Sequence, residues 1–261
     1  MKFVLRDDDL NYFSTPADIE RWYADIFAQG IPVSFSVIPF VKPESDVYTG
    51  GASFEEREYP ISENHELITA VGANPLIEIM QHGTTHETVN GAFEYAQAVP
   101  LNEALRGREE IERAFNREVS IFVPPHDWIG RDGIFAIEHA GMDVIRGRGT
   151  GLRNRIFRPL YVLNFIRMLL FKVRHMSKAQ VPAYPFMLSF GKHKEVCSYR
   201  LEDKDVFDGL EYAHQKNGIF VVVTHLHYYT QEKKELLLRL IKEAKRMNAE
   251  FVPAGALFKR I

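Results

Sequence analysis

The chain has 261 residues, of which 46% are hydrophobic and 26% are charged, and its formal net charge is −3. This composition is typical of a globular protein with a sizeable core, and the charge gives no reason to expect nucleic acid as a partner. The single cysteine, Cys197, excludes an intramolecular disulfide and a zinc site built from thiolates.

Short apolar strands alternate with helices along the chain. Strands are predicted at residues 2–5, 31–38, 76–80, 119–123, 142–145, 219–223 and 251–252. Helices are predicted at residues 17–29, from 63 onwards, and at 103–116, 132–139 and 232–247. Pro16 stands at the first position of the first helix, and Gly30 follows its end. Alternation of helices with wholly apolar strands indicates a parallel sheet, either open or closed into a barrel.

The N-terminal residues lack the apolar segment of a secretory signal, and no run of the sequence is long enough to span a bilayer. Together with the lone cysteine, these two features predict a cytoplasmic location.

Titratable residues follow the ends of four predicted strands. They are the acidic run Asp7-Asp8-Asp9, then His82, the segment Pro125-His126-Asp127, and His225. The carboxyl edge of a parallel sheet or barrel is where active sites are built. We therefore expect these side chains to meet at one rim.

His82 and His86 are separated by three residues, a spacing that lets both imidazoles face one ion across a tight turn at Gly83. The pair alone is a weak signal, because ten histidines make chance pairs common. Three adjacent carboxylates are common in solvated turns, but they also repel one another, and a bound cation relieves that repulsion. Together the histidine pair and the acidic run predict a divalent metal site with two His ligands and one Asp ligand.

The motifs resemble those of the polysaccharide deacetylases of the NodB-homology superfamily, carbohydrate esterase family 4 (CE4), and especially a divergent branch of deacetylase-like proteins. The matching segments are residues 3–9, 64–67, 77–79, 82–86, 122–126 and 222–225. The resemblance implies an α/β fold, a distorted (β/α) barrel of about seven strands. We expect one domain over residues 1–261, with an insertion or lid at about residues 147–218, which match no motif.

The resemblance also implies roles for the acidic run. In the family the first of two adjacent aspartates is the general base, and the second binds the metal with the two histidines. The preferred alignment makes Asp8 the base and Asp9 the ligand, because relatives in the divergent branch follow the acid pair with an apolar residue, as Leu10 does here. The alternative alignment makes Asp7 the base and Asp8 the ligand. Zinc is the expected ion, with nickel, cobalt, manganese and iron as alternatives.

Two other strands carry further candidates. His225 resembles the family's general acid, with a buried histidine bonded to carbonyl groups as the structural alternative. His227 is a candidate substitute, because it would lie on the same side of an extended strand. The backbone near Pro125 and His126 is a candidate oxyanion hole. His126 could also be an extra metal ligand, a substrate contact or part of a plain turn.

Two parts of the family pattern are missing. Val123 stands where the family has an arginine that orients the base, and Arg6, Arg146 and Arg148 are candidate replacements. No clear acidic motif tunes the general acid, and Asp143 is the nearest candidate.

Residues 146–178 are both basic and apolar, with leucines and isoleucines at helical intervals. One interpretation is a peripheral membrane contact, an interfacial helix that meets anionic lipid or a lipid-linked sugar phosphate. The favoured interpretation is a lid or oligomer-contact helix with a solvated charged face. The sequence leaves the oligomeric state open.

The motifs as a whole predict a metal-dependent hydrolase of C–N bonds, an N-deacetylase that acts on an acetylated sugar or sugar-containing substrate. A metal-dependent hydrolase of another bond, such as a phosphoester, is one alternative, because two histidines and an acid do not dictate the substrate. A non-catalytic carbohydrate-binding relative that kept the barrel is another.

Overall fold

The computed structural model describes residues 1–43, 46–89, 91–148, 156, 158–176 and 180–259. The strands within these ranges are β1 (Lys2–Leu10), β2 (Val33–Val37), β3 (Phe40–Val41), β4 (Tyr59–Pro60), β5 (Ile77–His82), β6 (Thr88–Val89), β7 (Ala92–Phe93), β8 (Ile121–Val123), β9 (Asp143–Gly147), β10 (Leu188–Ser189), β11 (Lys194–Arg200), β12 (Ile219–His225) and β13 (Glu250–Phe251). The α-helices are α1 (Pro16–Phe27), α2 (Asp46–Thr49), α3 (His65–Ala73), α4 (Glu103–Phe115), α5 (Arg131–His139), α6 (Pro159–Arg174), α7 (Val206–Gln215), α8 (Gln231–Arg246) and α9 (Gly255–Phe258).

Seven parallel strands close into a barrel in the order β1, β2, β5, β8, β9, β11 and β12, and β12 pairs back to β1. The antiparallel β10 extends the sheet beside β11, and β13 pairs with the start of β1. The predicted distorted (β/α) barrel of about seven strands is therefore confirmed. None of the helices within the described ranges is long and apolar enough to cross a membrane.

The barrel has two apolar layers that follow the two-residue alternation of its strands. Phe3 and Leu5 belong to the larger cluster, which also contains the buried faces of the surrounding helices. Val4 belongs to a separate cluster with residues from β5, β8, β9, β11 and β12, and α9 packs against that cluster. The cluster around Val4 is therefore the barrel interior, and the side chains of Arg6 and Asp8 follow Val4 on the same face of β1.

The structure corrects two predicted boundaries. Strand β1 does not end at Leu5 but continues through the acidic run to Leu10, because parallel neighbours on both sides continue to pair with it. The range 147–218, expected to be an insertion or lid, contains the barrel strand β11 and the adjacent helix α7. In the described part of that range, α6 and β10 are the elements outside the barrel itself.

A buried ionic network joins α5, β9 and β11 away from the barrel mouth. His193 is 1% exposed, and its two ring nitrogens lie 3.2 Å from Oε1 of Glu138 and 3.1 Å from Oε1 of Glu195. The Arg146 Nε group donates to Glu195 Oε2 at 2.5 Å, and Arg158 pairs with Glu138. Burial lowers the pKa of His193, but its contacts with the two carboxylates outweigh this and raise the pKa above the ordinary value. The imidazole is therefore stabilised in its charged form.

Replacing this imidazole with a neutral amide is expected to destabilise the fold in a pH-dependent way. Because the folded-state pKa of His193 is raised, its ionic contribution is complete below the unfolded-state pKa and is lost as pH rises through the folded-state value. The variant His193→Gln should lose about 3 kcal/mol at about pH 6 and clearly less at about pH 9.5. Urea unfolding at both pH values measures the loss of unfolding free energy, and the exposed His65→Gln is the control. An equal loss at the two pH values would contradict the proposed charge on His193.

Candidate active site

The barrel mouth collects side chains from the carboxyl ends of its parallel strands, as the sequence predicts. Asp8 lies beside His225 in the register of β1 and β12. His82 is the last residue of β5, and a 3₁₀ helix, Pro125–Asp127, follows β8. A cavity of about 600 Å³ opens among these strand ends. Its lining residues include Arg6, Asp8, Asp9, Tyr48, His82, His86, His126, Asp127, Arg200, Glu202, His225, Tyr228 and Lys233.

Asp8 is a buried carboxylate that accepts hydrogen bonds from β1 and from β2. Arg6 donates from Nε to Asp8 Oδ1 at 2.7 Å and from a terminal nitrogen to Oδ2, and Ser36 donates to Oδ1 at 2.6 Å. Burial raises the pKa of Asp8, but the charge and hydrogen bonds of Arg6 outweigh it and lower the pKa to about 2. Of the candidate replacements for the missing third-motif arginine, Arg6 is the one whose guanidinium contacts Asp8.

Asp9 would point away from the cavity if β1 were regular, because successive side chains of a strand alternate between its faces. The pairing of β1 with β2 shifts register between Asp7 and Leu10, and Asp9 has a φ of 71°. This irregularity turns the Asp9 side chain to the same cavity as that of Asp8. Adjacent aspartates thus reach one site only because the strand is distorted between them.

Asp9, His82 and His86 place one potential ligand atom each within 4.8 Å of one another. Asp9 Oδ1 lies 3.2 Å from Nε2 of His82 and 3.5 Å from Nε2 of His86. That oxygen is buried and makes no hydrogen bond with any residue in the described ranges. A buried carboxylate oxygen without a donor, facing two imidazole nitrogens, has the donor set and the unmet need of a divalent-cation site.

His82 and His86 are oriented by contacts on the other side of their rings. Nδ1 of His82 lies 3.0 Å from the carbonyl oxygen of Val123, which leaves Nε2 facing Asp9. Such a contact fixes both the tautomer and the ring orientation of a metal-binding histidine. Nδ1 of His86 lies 3.4 Å from the hydroxyl of Tyr48, which also lines the cavity. The chain leaves β5 at Gly83, which has a φ of 60° and whose added Cβ would lie 2.4 Å from Pro125.

Glu94 organises the turn that carries His86. Its carboxylate accepts hydrogen bonds from the backbone N–H groups of Thr84, Thr85 and His86 at 2.9–3.1 Å. The sequence analysis did not identify this residue, because an isolated acid after a short hairpin carries no motif. Its signal is geometric: three successive N–H groups converge on one side chain.

Left-handed backbone conformations concentrate at this site. Of the non-glycine residues with positive φ in the described ranges, three are asparagines, which tolerate this region. The other four are Asp9, His86, His126 and Asp127, with φ between 54° and 71°. Strained conformations of this kind persist where the surrounding structure fixes them, and they cluster at functional sites.

The 3₁₀ helix after β8 places its residues differently. Pro125 is buried against Gly83 and does not line the cavity. The His126 ring stacks on Phe93 with a centroid separation of 4.1 Å and lies 4.6 Å from the ring of His86. Asp127 lies 3.7 Å from Arg6 and 3.8 Å from Arg200, and it accepts the N–H of Gly147.

Asp7 and His227 lie outside the cavity lining. Asp7 is fully buried on the outer face of β1, where it accepts hydrogen bonds from Tyr23, Thr224 and the backbone of Leu226. Burial raises the pKa of Asp7 to about 8, against the lowering effect of the bonds from Tyr23 and Thr224. The geometry therefore gives Asp7 a structural position and favours the alignment in which Asp8 and Asp9 form the acid pair.

The sequence analysis assumed that His227 lies on the same extended strand as His225. The structure shows that it does not. Strand β12 ends at His225 and is followed by a 3₁₀ helix, Leu226–Tyr228, which rotates His227 away from the cavity. Its Nε2 lies 3.1 Å from the Asp9 carbonyl oxygen and 3.2 Å from Asn11 Nδ2. His227 therefore contacts the backbone behind Asp9, whereas His225 lines the cavity.

Three other candidates from the sequence lie elsewhere. Arg146 binds Glu195 in the buried network, and Arg148 pairs with Asp203 and Asp205. Asp143 begins β9, at the end of the barrel opposite the cavity, and accepts the N–H of Lys194. Glu202 is an acid in the cavity lining that the sequence analysis did not identify, and it pairs with Lys233 at 2.6 Å.

Removal of the Glu94 carboxylate is expected to loosen the turn that carries His86. The variant Glu94→Ala leaves three backbone N–H groups without their acceptor, so it should lose about 1–3 kcal/mol of unfolding free energy. Hydrogen exchange should accelerate at the amides of residues 84–86 and stay unchanged in β1 and β2. Glu94→Gln keeps one carbonyl oxygen, so its exchange rates at these amides should lie between those of wild type and Glu94→Ala. The exposed Glu66→Ala is the control and should exchange like wild type. Unchanged exchange at residues 84–86 would contradict the assignment.

No family model matches the sequence, and no curated protein matches it. Solved structures do match. BA3943, a CE4 family pseudoenzyme from Bacillus anthracis, is 13% identical with a TM-score of 0.50, over 98% of this chain and 65% of that one. This chain thus spans about two thirds of the pseudoenzyme's length.

Two deacetylases are also similar. The peptidoglycan N-acetylglucosamine deacetylase Bc1960 is 13% identical with a TM-score of 0.53, over 98% of this chain and 87% of that one. The peptidoglycan deacetylase PdaC from Bacillus subtilis is 11% identical with a TM-score of 0.50, over 98% of this chain and 89% of that one. At such low identity these similarities establish the fold alone. The chain has the fold of the CE4 polysaccharide deacetylases, as the resemblance of its motifs predicts.

Proposed function

We propose that this chain is a metal-dependent N-deacetylase that hydrolyses the acetamido group of an acetylated sugar or sugar-containing substrate. The observation that carries the proposal is the approach of His82 and His86 to a buried oxygen of Asp9 that has no hydrogen-bond donor among the described residues. This group opens into a cavity that Asp8 and His225 also line. A hydrolytic deacetylase needs these parts together: an ion site, a carboxylate base and a second proton-transfer group.

The three ligands fit a divalent ion, and zinc suits two imidazoles and one carboxylate. Such an ion, when bound, polarises a carbonyl group and lowers the pKa of water. The chain supplies the orientation of the ligands through the contact of His82 with Val123 and the hydrogen bonds of Glu94 to the turn around His86. A site with three protein ligands leaves room for substrate, as catalytic sites do and structural sites do not.

Asp8 and His225 are the proposed proton-transfer residues. Asp8 is deprotonated at neutral pH because Arg6 holds its pKa near 2, so it is available to accept a proton. His225 is adjacent to Asp8 across β1 and β12 and is only partly buried at the cavity wall. Because one group is an anion and the other an imidazole, they can act as base and acid in one reaction. Asp7, which lies outside the cavity, has no role in this proposal.

The segment after β8 is the proposed substrate contact. The His126 ring borders the cavity next to His86, and its backbone is the candidate donor to a developing oxyanion. Tyr228, which is 49% exposed, also lines the cavity and offers an aromatic face on which a sugar ring can stack. The deacetylation of a peptidoglycan sugar by Bc1960, a protein of the same fold, supports an acetylated amino sugar as the substrate class.

A non-catalytic role is the second candidate. Val123 replaces the arginine that the family resemblance implies, and BA3943, which has this fold, is a pseudoenzyme. Against this, Arg6 supplies a guanidinium to Asp8 from within β1. Acetate release separates the two candidates, because a non-catalytic relative can bind the ion without turnover.

Removal of the two histidine ligands is expected to abolish metal binding. Purified wild-type protein, after reconstitution with zinc, should hold close to one ion per chain by mass spectrometry, and His82→Ala/His86→Ala should hold almost none, because two of three ligands are gone. The exposed pair His65→Ala/His214→Ala is a matched control that should retain the ion. Equal metal content in wild type and the His82/His86 variant would contradict the site.

Removal of either proposed proton-transfer group is expected to slow turnover. Wild-type protein should release acetate from N-acetylglucosamine oligomers, and His225→Ala and Asp8→Asn should each lower kcat roughly 10²–10⁴-fold, because each removes a proton-transfer group. His225→Ala should retain its metal, whereas His214→Ala should retain full activity. A wild-type protein that binds the ion but releases no acetate from any acetylated amino sugar would favour the non-catalytic relative.

A further inference from the structure

Among the residues that the structure describes, helix α6 contacts the rest of the protein along one side. Tyr161, Asn164 and Met168 form its buried face. Asn164 donates to the carbonyl oxygen of Ser189 at 2.8 Å, and the Tyr161 hydroxyl donates to Glu138 at 2.9 Å. These contacts settle which face of the helix points outward.

The outward face of α6 is apolar. Its large side chains are each 45–64% exposed: Val162, Leu163, Ile166, Leu169, Leu170 and Val173. At 3.6 residues per turn they lie within an arc of about 120°, directly opposite the buried face. Met176, 72% exposed just after the helix, adds to this surface. Exposed apolar residues are ordinary when scattered, but a contiguous strip over about three turns marks an interaction surface.

Basic residues flank this apolar strip on both sides. By the same helical geometry, Arg167 and Arg174 lie along one edge and Lys172 along the other. None of the three is within salt-bridge distance of a carboxylate in the ranges that the structure describes. The surrounding sequence has the same bias: residues 159–192 contain five Lys and Arg and no Asp or Glu, in a chain whose net charge is −3.

We propose that α6 docks this protein on an anionic membrane surface, lying parallel to the bilayer with its apolar strip in the headgroup region. An apolar face bordered by Lys and Arg is the arrangement of interfacial helices, whose basic side chains reach the lipid phosphates while their apolar side chains enter the acyl boundary. Each Lys or Arg near such a surface adds an attraction that salt screens.

The charges argue against the two other occupants of the strip. A second copy that packed through α6 would bring its own Arg167, Lys172 and Arg174 against these basic edges, and α6 offers no acidic partner for them. A nucleic acid would be attracted by the charges but would leave the apolar strip in water. Anionic lipid satisfies both the apolar strip and its basic edges.

Vesicle co-sedimentation of the full chain tests this proposal. Wild-type protein should bind phosphatidylcholine vesicles that contain phosphatidylglycerol, and it should bind pure phosphatidylcholine far more weakly. Arg167→Gln/Lys172→Gln/Arg174→Gln should weaken binding roughly a hundred-fold, since one basic residue near the surface contributes about five-fold. Ile166→Asp/Leu170→Asp should reduce binding to background, because the substituted side chains are already exposed and only the lipid contact is lost.

Two controls separate membrane docking from other effects. Arg239→Gln/Lys242→Gln/Arg246→Gln removes the same number of charges from α8 and should bind vesicles like wild type. Leu101→Asp places an acid at another exposed leucine and should not change vesicle binding. No binding to anionic vesicles, or binding that the α6 variants retain, would overturn the proposal. A lipid-free dimer by light scattering that Ile166→Asp/Leu170→Asp dissociates would assign the strip to a second copy instead.

Discussion

Three consecutive aspartates are buried in strand β1 of the barrel, and each requires its own compensation, because a polar or charged group left unpaired in a protein interior costs free energy. Asp7 receives donors from α1 and from the end of β12. Asp8 receives the guanidinium of Arg6 and the hydroxyl of Ser36. Asp9 has two imidazoles beside an oxygen for which the described part of the chain supplies no donor. This difference identifies Asp9 as the residue whose compensation is incomplete within the protein.

The alternation of β1 gives these three residues their separate environments. Asp7 points out to the helices, where it joins β12 to α1, and Asp8 points into the barrel behind Arg6. Only the register shift after Asp7 and the positive φ of Asp9 bring a second carboxylate to the cavity. The backbone strain at Asp9 is matched by that at His86, so both elements that hold the proposed ion adopt conformations that the local sequence does not favour.

Sequence patterns predicted the barrel and the rim at which the candidate residues meet, because strand periodicity and strand-end residues are local signals. They did not predict Glu94 or Glu202, whose roles arise from long-range contacts. Strand β11 was missed because its run, Lys194–Arg200, mixes polar and apolar residues and its glutamate is buried against Arg146. His227 was misplaced because the sequence does not reveal that β12 turns into a 3₁₀ helix directly after His225.

The position of Arg6 changes what the missing third-motif arginine means. A guanidinium beside the base needs only to reach the Asp8 carboxylate, and residues 6 and 8 share one face of a strand, so β1 can supply it without β8. Val123 is then free to join the apolar barrel interior, where it is fully buried. Its backbone carbonyl still orients His82. The loss of an arginine on β8 therefore removes neither the partner of the proposed base nor the orientation of a proposed ligand, and it is not by itself a sign of lost catalysis.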